Sequence, residues 1–126
     1  IPAICFESIF PHELLADIQE NAVILSVTND AWFGNSTGPQ QHLAMARMRA
    51  IEQGRPVLRA ANTGVSSIID PFGRVVHKIG YGKQGVINAK IPLKTQTLYS
   101  RFGDLIFLLL LLCGIIGASF PLKKKQ

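Results

Sequence analysis

Apolar positions along the chain fall into three patterns, which predict strands, helices and an apolar tail. Ile1 to Ile4, broken by Pro2, and Val23 to Val27 are short apolar runs of strand length, the second of the kind expected when a strand is covered on both faces. Between them, Pro11 to Asn21 carries Leu14, Leu15 and Ile18 on one helical stripe, with Glu13 and Asp17 in its early turns. Thr28 to Gly38 is a long polar loop holding the only tryptophan. A second helix is predicted from Pro39, which suits a first turn, through Gln53, with Gly54 and Pro56 as its stop. Its core stripe is Leu43, Ala46 or Met45, Ala50 and Ile51, and the small alanines imply close approach to a sheet. Arg47 and Arg49 point to different faces and read as surface or ion-paired residues.

After Pro56 the period becomes that of strands: Val57 to Ala61, Ser66 to Ile69, Val75 to Ile79 and Val86 to Ile91. Asn62-Thr63-Gly64 joins the first two of these. Asp70-Pro71-Phe72-Gly73 has the residues of a type I turn, and Gly80, Gly82 and Gly85 make a later bend. This is a run of antiparallel hairpins following βα units.

Leu105 to Leu122 carries no charge over eighteen residues, including five consecutive leucines at 108–112. As a helix it would reach about 27 Å, near the hydrocarbon thickness of a bilayer, so a transmembrane helix over about 105–122 is expected. Lys123, Lys124 and Lys125 follow it and supply three of the net +5 charges. By the positive-inside rule the C-terminus is then cytoplasmic and the rest of the chain lies on the opposite side. The expected division is a folded part over 1–100 and a tail over 101–126 holding the membrane helix. The charge left after the lysines is scattered, which argues against a nucleic-acid face. Cys5 and Cys113 do not form a disulfide framework, since Cys113 sits inside the apolar run. His12, His42 and His77 are isolated, have no metal-ligand spacing, and are expected at the surface or at caps. With neither an initiator Met nor a leader pattern, the chain reads as a piece of a longer protein.

The candidate chemistry is at the first strand's tip. Cys5 follows an apolar strand end and precedes a helical pattern, so its thiol is expected on a sharp bend, where amide dipoles favour thiolate. Glu7 would share its side if the segment stays extended. Set against this, a lone cysteine is commonly a small buried hydrophobe. Trp32 and Phe33 follow a strand end, where α/β proteins place their sites, and either line a substrate entrance or pack on their own scaffold.

The succession Ile-Cys-Phe-Glu-Ser-Ile-Phe-Pro (4–11), Val-Thr-Asn-Asp-Ala-Trp-Phe-Gly (27–34), Gln-His-Leu-Ala-Met-Ala-Arg-Met-Arg-Ala-Ile-Glu (41–52), Arg-Pro-Val-Leu-Arg-Ala-Ala-Asn-Thr-Gly (55–64) and Asp-Pro-Phe-Gly-Arg (70–74) resembles the C-terminal half of a nitrilase-type (carbon-nitrogen hydrolase) domain. Within that superfamily it is most similar in pattern to the bacterial apolipoprotein N-acyltransferase family. The resemblance covers nearly the whole chain and implies an α/β fold: half of an αββα sandwich followed by one transmembrane helix. It implies Cys5 as the nucleophile, Glu7 as a supporting carboxylate that is not the general base, and the Phe6 backbone N–H as an oxyanion donor. Phe6 stands where the family often has tyrosine. The family's general base, a Glu, and its catalytic Lys come before Ile1. Trp32 and Phe33 would line the acyl-chain entrance.

The implied reaction moves an acyl chain from a phospholipid, phosphatidylethanolamine, through a Cys5 thioester to the N-terminal cysteine α-amine of an apolipoprotein, without a cofactor or metal. The implied location is the bacterial inner membrane, with the catalytic part periplasmic. Two other readings are a soluble-type amidase or nitrilase acting on small substrates, and a non-catalytic membrane-anchored module.

Overall fold

A computed structural model describes residues 1–11 and 22–119. The helix expected over 11–21, with its stripe of Leu14, Leu15 and Ile18, lies outside the described residues but for its first position, as do His12 and the tail lysines.

One five-stranded sheet organises the chain, its strands in sequence order: β1 (Pro2–Ile4), β2 (Ile24–Asn29), β3 (Val57–Asn62), β4 (Ser66–Ile69) and β5 (Val75–Ile79). β1, β2 and β3 are parallel, with Ile4 beside Val27 and Asn29 beside Asn62. β3, β4 and β5 are antiparallel, pairing Val57 with Ile69 and Ser66 with Ile79. The change follows from the connections. A helix, α1 (Gly38–Gln53), carries the chain back between β2 and β3, whereas short turns join β3 to β4 and β4 to β5. In the second turn Gly73 N–H donates to the Asp70 carbonyl at 2.9 Å, as the Asp-Pro-Phe-Gly pattern requires.

α1 lies on one face of the sheet. Ala46 and Ala50 are fully buried against Ala3, Ile24, Val57 and Ile69, with Ile1, Leu43 and Val75 at the margin. Small side chains on the helix let the branched residues of the strands fill the space between the layers. Met45 and Ile51, expected on this stripe, are exposed, and His42 and Gln53 are buried in their place. The helix ends where Gly54 takes a left-handed φ of 61° and its N–H caps the carbonyls of Ala50 and Ile51. Arg47 Nε donates to the Gly73 carbonyl at 2.7 Å, and Arg49 pairs with Glu52, so neither faces the strand ends.

β2 is buried on alternate residues only. Ile24, Ser26 and Thr28 face α1, whereas Leu25 and Val27 are each 48% exposed on the opposite face. The expectation of a strand covered on both faces therefore fails within the described residues. Val86 to Ile91 is not a strand either. It pairs with no strand among the described residues, and Val86 is almost wholly exposed.

The described residues form a mixed α/β unit with one five-stranded sheet and one packed helical layer. The expected fold class needs correction in its last part, the spanning helix, which is overturned. After α2 (Leu98–Phe102), α3 runs Leu105–Ser119, fifteen residues or about 22 Å against a hydrocarbon thickness of about 30 Å. Among the described residues no helix is long and apolar enough to cross a membrane. An uncharged run measures composition, while a span needs a continuous helix of bilayer length, and the described helix has fifteen residues. The orientation inferred from the following lysines loses its basis with it.

Candidate active site

The carboxyl ends of the three parallel strands meet at one edge of the sheet, the usual place for a site in an open α/β sheet. Cys5 follows β1, Asp30 follows β2, and Gly64 follows β3 by two residues. Cys5 has a φ of 52°, left-handed and unusual for a residue with a side chain. Residues Cys5–Ile9 form a 3-10 turn directly, so the segment does not stay extended to Glu7 as expected. Glu7 instead folds back, its Oε2 accepting the Ile4 N–H at 2.6 Å, and the carboxylate braces the turn while remaining exposed. The Cys5 thiol is half-buried, and Thr28 Oγ1 lies 3.8 Å from its sulfur.

Behind the thiol is a buried polar cluster. Asp30 is wholly buried and accepts from Thr28 Oγ1 at 3.3 Å and His42 Nδ1 at 2.8 Å on one oxygen, and from Arg59 Nη2 at 2.7 Å on the other. A carboxylate this deep needs such donors to offset lost hydration. His42 Nε2 is 3.2 Å from Ser8 Oγ, and Ser8 Oγ is 3.2 Å from the Cys5 carbonyl oxygen. His42, expected at the surface or a cap, is 3% exposed. The rings of Phe6 and Phe33 flank its imidazole at centroid distances of 6.2 and 5.8 Å.

Of the expected site residues, the structure brings Cys5, Phe6, Glu7 and Phe33 to this edge. Phe33 is half-buried, packed on His42 and against Gly38, where a Cβ would strike its ring. Trp32 is 86% exposed on the neighbouring 3-10 turn, Asp30–Phe33. The loop that carries them is tied at Gly34, whose carbonyl accepts from Tyr81 Oη at 3.0 Å. Asp30, Arg59, Ser8 and Thr28 carried no expected role. The available signal was weak: polar residues at inward positions of apolar strands, Thr28 on β2 and Arg59 on β3. Among the described residues, no group of His, Cys, Asp and Glu side chains is arranged to hold a metal ion.

The chain belongs to the carbon-nitrogen hydrolase family, whose sequence model matches residues 2–101. Within that class it is similar to proteins named apolipoprotein N-acyltransferase. The protein of that name from Rhodopseudomonas palustris is 52% identical over 106 residues, covering 83% of this chain and 20% of the relative. The one from Rickettsia bellii is 46% identical over 126 residues, covering 98% and 25%, and the one from Agrobacterium fabrum 43% over 122 residues, covering 93% and 23%. The chain thus spans a fifth to a quarter of the length of these relatives.

Proposed function

We propose that the chain carries the nucleophile of an apolipoprotein N-acyltransferase. The observation that carries this reading is Cys5 itself: a half-buried thiol, backed by a hydroxyl, on a left-handed turn at the carboxyl edge of a parallel sheet, in a carbon-nitrogen hydrolase similar to enzymes of that name. In the first step the Cys5 sulfur attacks the ester carbonyl of a phospholipid, phosphatidylethanolamine. A C–S bond forms, the ester C–O bond breaks, and the thiol proton passes through the general base to the departing lysophospholipid oxygen. In the second, the free α-amine of an apolipoprotein's N-terminal cysteine attacks the thioester. A C–N bond forms, the C–S bond breaks, and a proton from the amine returns to the sulfur.

The Phe6 backbone N–H holds the oxyanion of both tetrahedral intermediates. Glu7 keeps the turn closed through the Ile4 N–H. Phe33, with the exposed Trp32, offers the acyl chain an apolar border. The base and the lysine come from the part of the enzyme that the family resemblance places ahead of Ile1. Residues 1–100 form the C-terminal part of the catalytic domain; the two lipid-bearing substrates put the reaction at a membrane, and the family resemblance puts it at the periplasmic face of the bacterial inner membrane.

The full-length enzyme incubated with phospholipid should gain one acyl group at Cys5, labile to hydroxylamine and discharged by apolipoprotein. Cys5→Ser should lower turnover by about a thousandfold or more, because an alkoxide is far harder to generate than a thiolate. Cys113→Ser, on the exposed α3, should leave turnover within about twofold. An acyl group on Cys113, or full activity in Cys5→Ala, would sink the assignment. Release of ammonia from small amides with no acyl transfer would favour the amidase reading.

A further inference from the structure

The proposed reaction uses Cys5 and the N–H next to it, and leaves the buried cluster behind them without a task. Cys5 holds a backbone conformation that residues with a Cβ disfavour, so its surroundings must maintain it. The only side chain seen to hold the Cys5 carbonyl is Ser8, among the described residues. A peptide unit is planar, so the Cys5 carbonyl and the Phe6 N–H turn together, pointing in opposite directions. Whatever fixes the carbonyl therefore aims the oxyanion donor.

We propose that His42 is a positioning residue for this reaction: anchored on Asp30, it holds the Ser8 hydroxyl against the Cys5 carbonyl and so orients the Phe6 N–H toward the oxyanion. This rests on the reading of Cys5 as the nucleophile. The geometry supports it. Asp30 only accepts, so His42 Nδ1 carries the hydrogen in the 2.8 Å contact, and the ring is thereby fixed in orientation. Arg59 and Thr28 complete the set of donors on Asp30, and the carboxylate in turn cannot swing away from the imidazole. Ser8 Oγ donates to the Cys5 carbonyl at 3.2 Å and lies 3.2 Å from His42 Nε2, so the ring fixes the place of the hydroxyl beside the carbonyl. Thr28 likewise stands between Asp30 and the Cys5 sulfur, so one cluster reaches both the thiol and the peptide beside it.

The test compares Ser8→Ala, His42→Ala and His42→Gln in the full-length enzyme, with melting temperature, kcat and KM for the apolipoprotein measured for each. Ser8→Ala removes one hydroxyl and should lower kcat about tenfold with KM within twofold, since a misaimed donor weakens the transition state and not acceptor binding. His42→Ala should lower kcat about a hundredfold, and His42→Gln, whose amide still reaches Ser8, should recover much of that loss. His77→Gln, on the exposed β5, should match the wild type. Should His42→Ala fail to fold, Ser8→Ala decides. A folded Ser8→Ala enzyme with wild-type kcat overturns the proposal, as does His42→Gln no better than His42→Ala with both folded. A wild-type enzyme that never acylates Cys5 brings down the functional reading, and this inference falls with it. Acylation unaffected by the variants brings down the inference alone.

Discussion

Single residues divide into those whose chemistry can be read from their type and those that need a neighbour from far along the chain. Cys5 belongs to the first group, because a thiol after an apolar strand end stands out in the sequence. His42 and Asp30 belong to the second. Twelve residues apart, in a helix and a turn, they meet only because β2 and α1 lie side by side, and an isolated histidine in the sequence gives no sign of a buried carboxylate. Arg59 is legible only as a polar interruption in an apolar strand. Asp70 is a local case that can be worked out in full. Burial pushes its carboxyl up. Bonds from the Arg74 N–H and guanidinium and from the Phe72 N–H, with the guanidinium charge, outweigh burial and hold the carboxyl below the ordinary value. A carboxyl lowered by folding contributes stability above its unfolded value of about 3.9, and loses that contribution as the pH falls through its folded value. Arg74 is largely exposed, so the ion pair itself contributes less than about 1 kcal/mol. Asp70→Asn should therefore melt slightly below the wild type at pH 7 and close the gap as the pH drops below about 4. Melting curves across that range check it, and a gap that widens in acid would contradict it.

At the scale of elements, period and punctuation carried most of the architecture. Gly54 and Pro56 stop α1 where the structure stops it, and Ser66 to Ile69 and Val75 to Ile79 pair as a hairpin around the Asp-Pro-Phe-Gly turn. Period failed where pairing decides. Val86 to Ile91 has the composition of a strand but pairs with none among the described residues, and of the uncharged run Leu105 to Leu122 the described helix covers Leu105–Ser119, too short to span a membrane. Close approach between elements is equally hidden in a sequence, and the turn after β3 is the clearest instance. Gly64 is buried against Asp30, and a Cβ there would run into the carboxylate itself. Asp30 is held by His42, Thr28 and Arg59 and has nowhere to retreat, so the methyl group must displace the cluster or the turn. Gly64→Ala should cost about 1–3 kcal/mol in chemical denaturation, the range for overpacking. It should also slow acylation of Cys5, because the strain falls on the residues behind the thiol. A stable Gly64→Ala enzyme with unchanged acylation would show that the turn yields freely and that the cluster is less rigid than its bonds indicate.

For the whole molecule, the surface left open is as informative as the core. α1 covers one face of the sheet, and on the other Ile4 is 62% exposed, with Leu25 and Val27 half so. α3 presents Phe107 at 64% and Leu110 at 67%, and none of its residues is buried. Contiguous apolar surface of this kind drives association in water unless something covers it. The relatives, about four times the length of this chain, have the length to supply cover. Expressed alone, residues 1–126 should therefore associate in aqueous buffer and disperse on addition of mild detergent, as read by light scattering on a sizing column. Dispersal should not confer activity. The thiol, its turn and the Asp30–His42 cluster would be present, but the base and the lysine are assigned to residues ahead of Ile1, so neither thiolate formation nor charge stabilisation would be complete. Phospholipid added to the dispersed chain should leave Cys5 unacylated, and adding the missing part of the enzyme in trans should restore acylation. A monodisperse chain without detergent would mean that the exposed strands and α3 cover one another in solution. Acylation by the chain alone would move the general base into residues 1–126, where His42 is the imidazole directly behind the thiol's own turn.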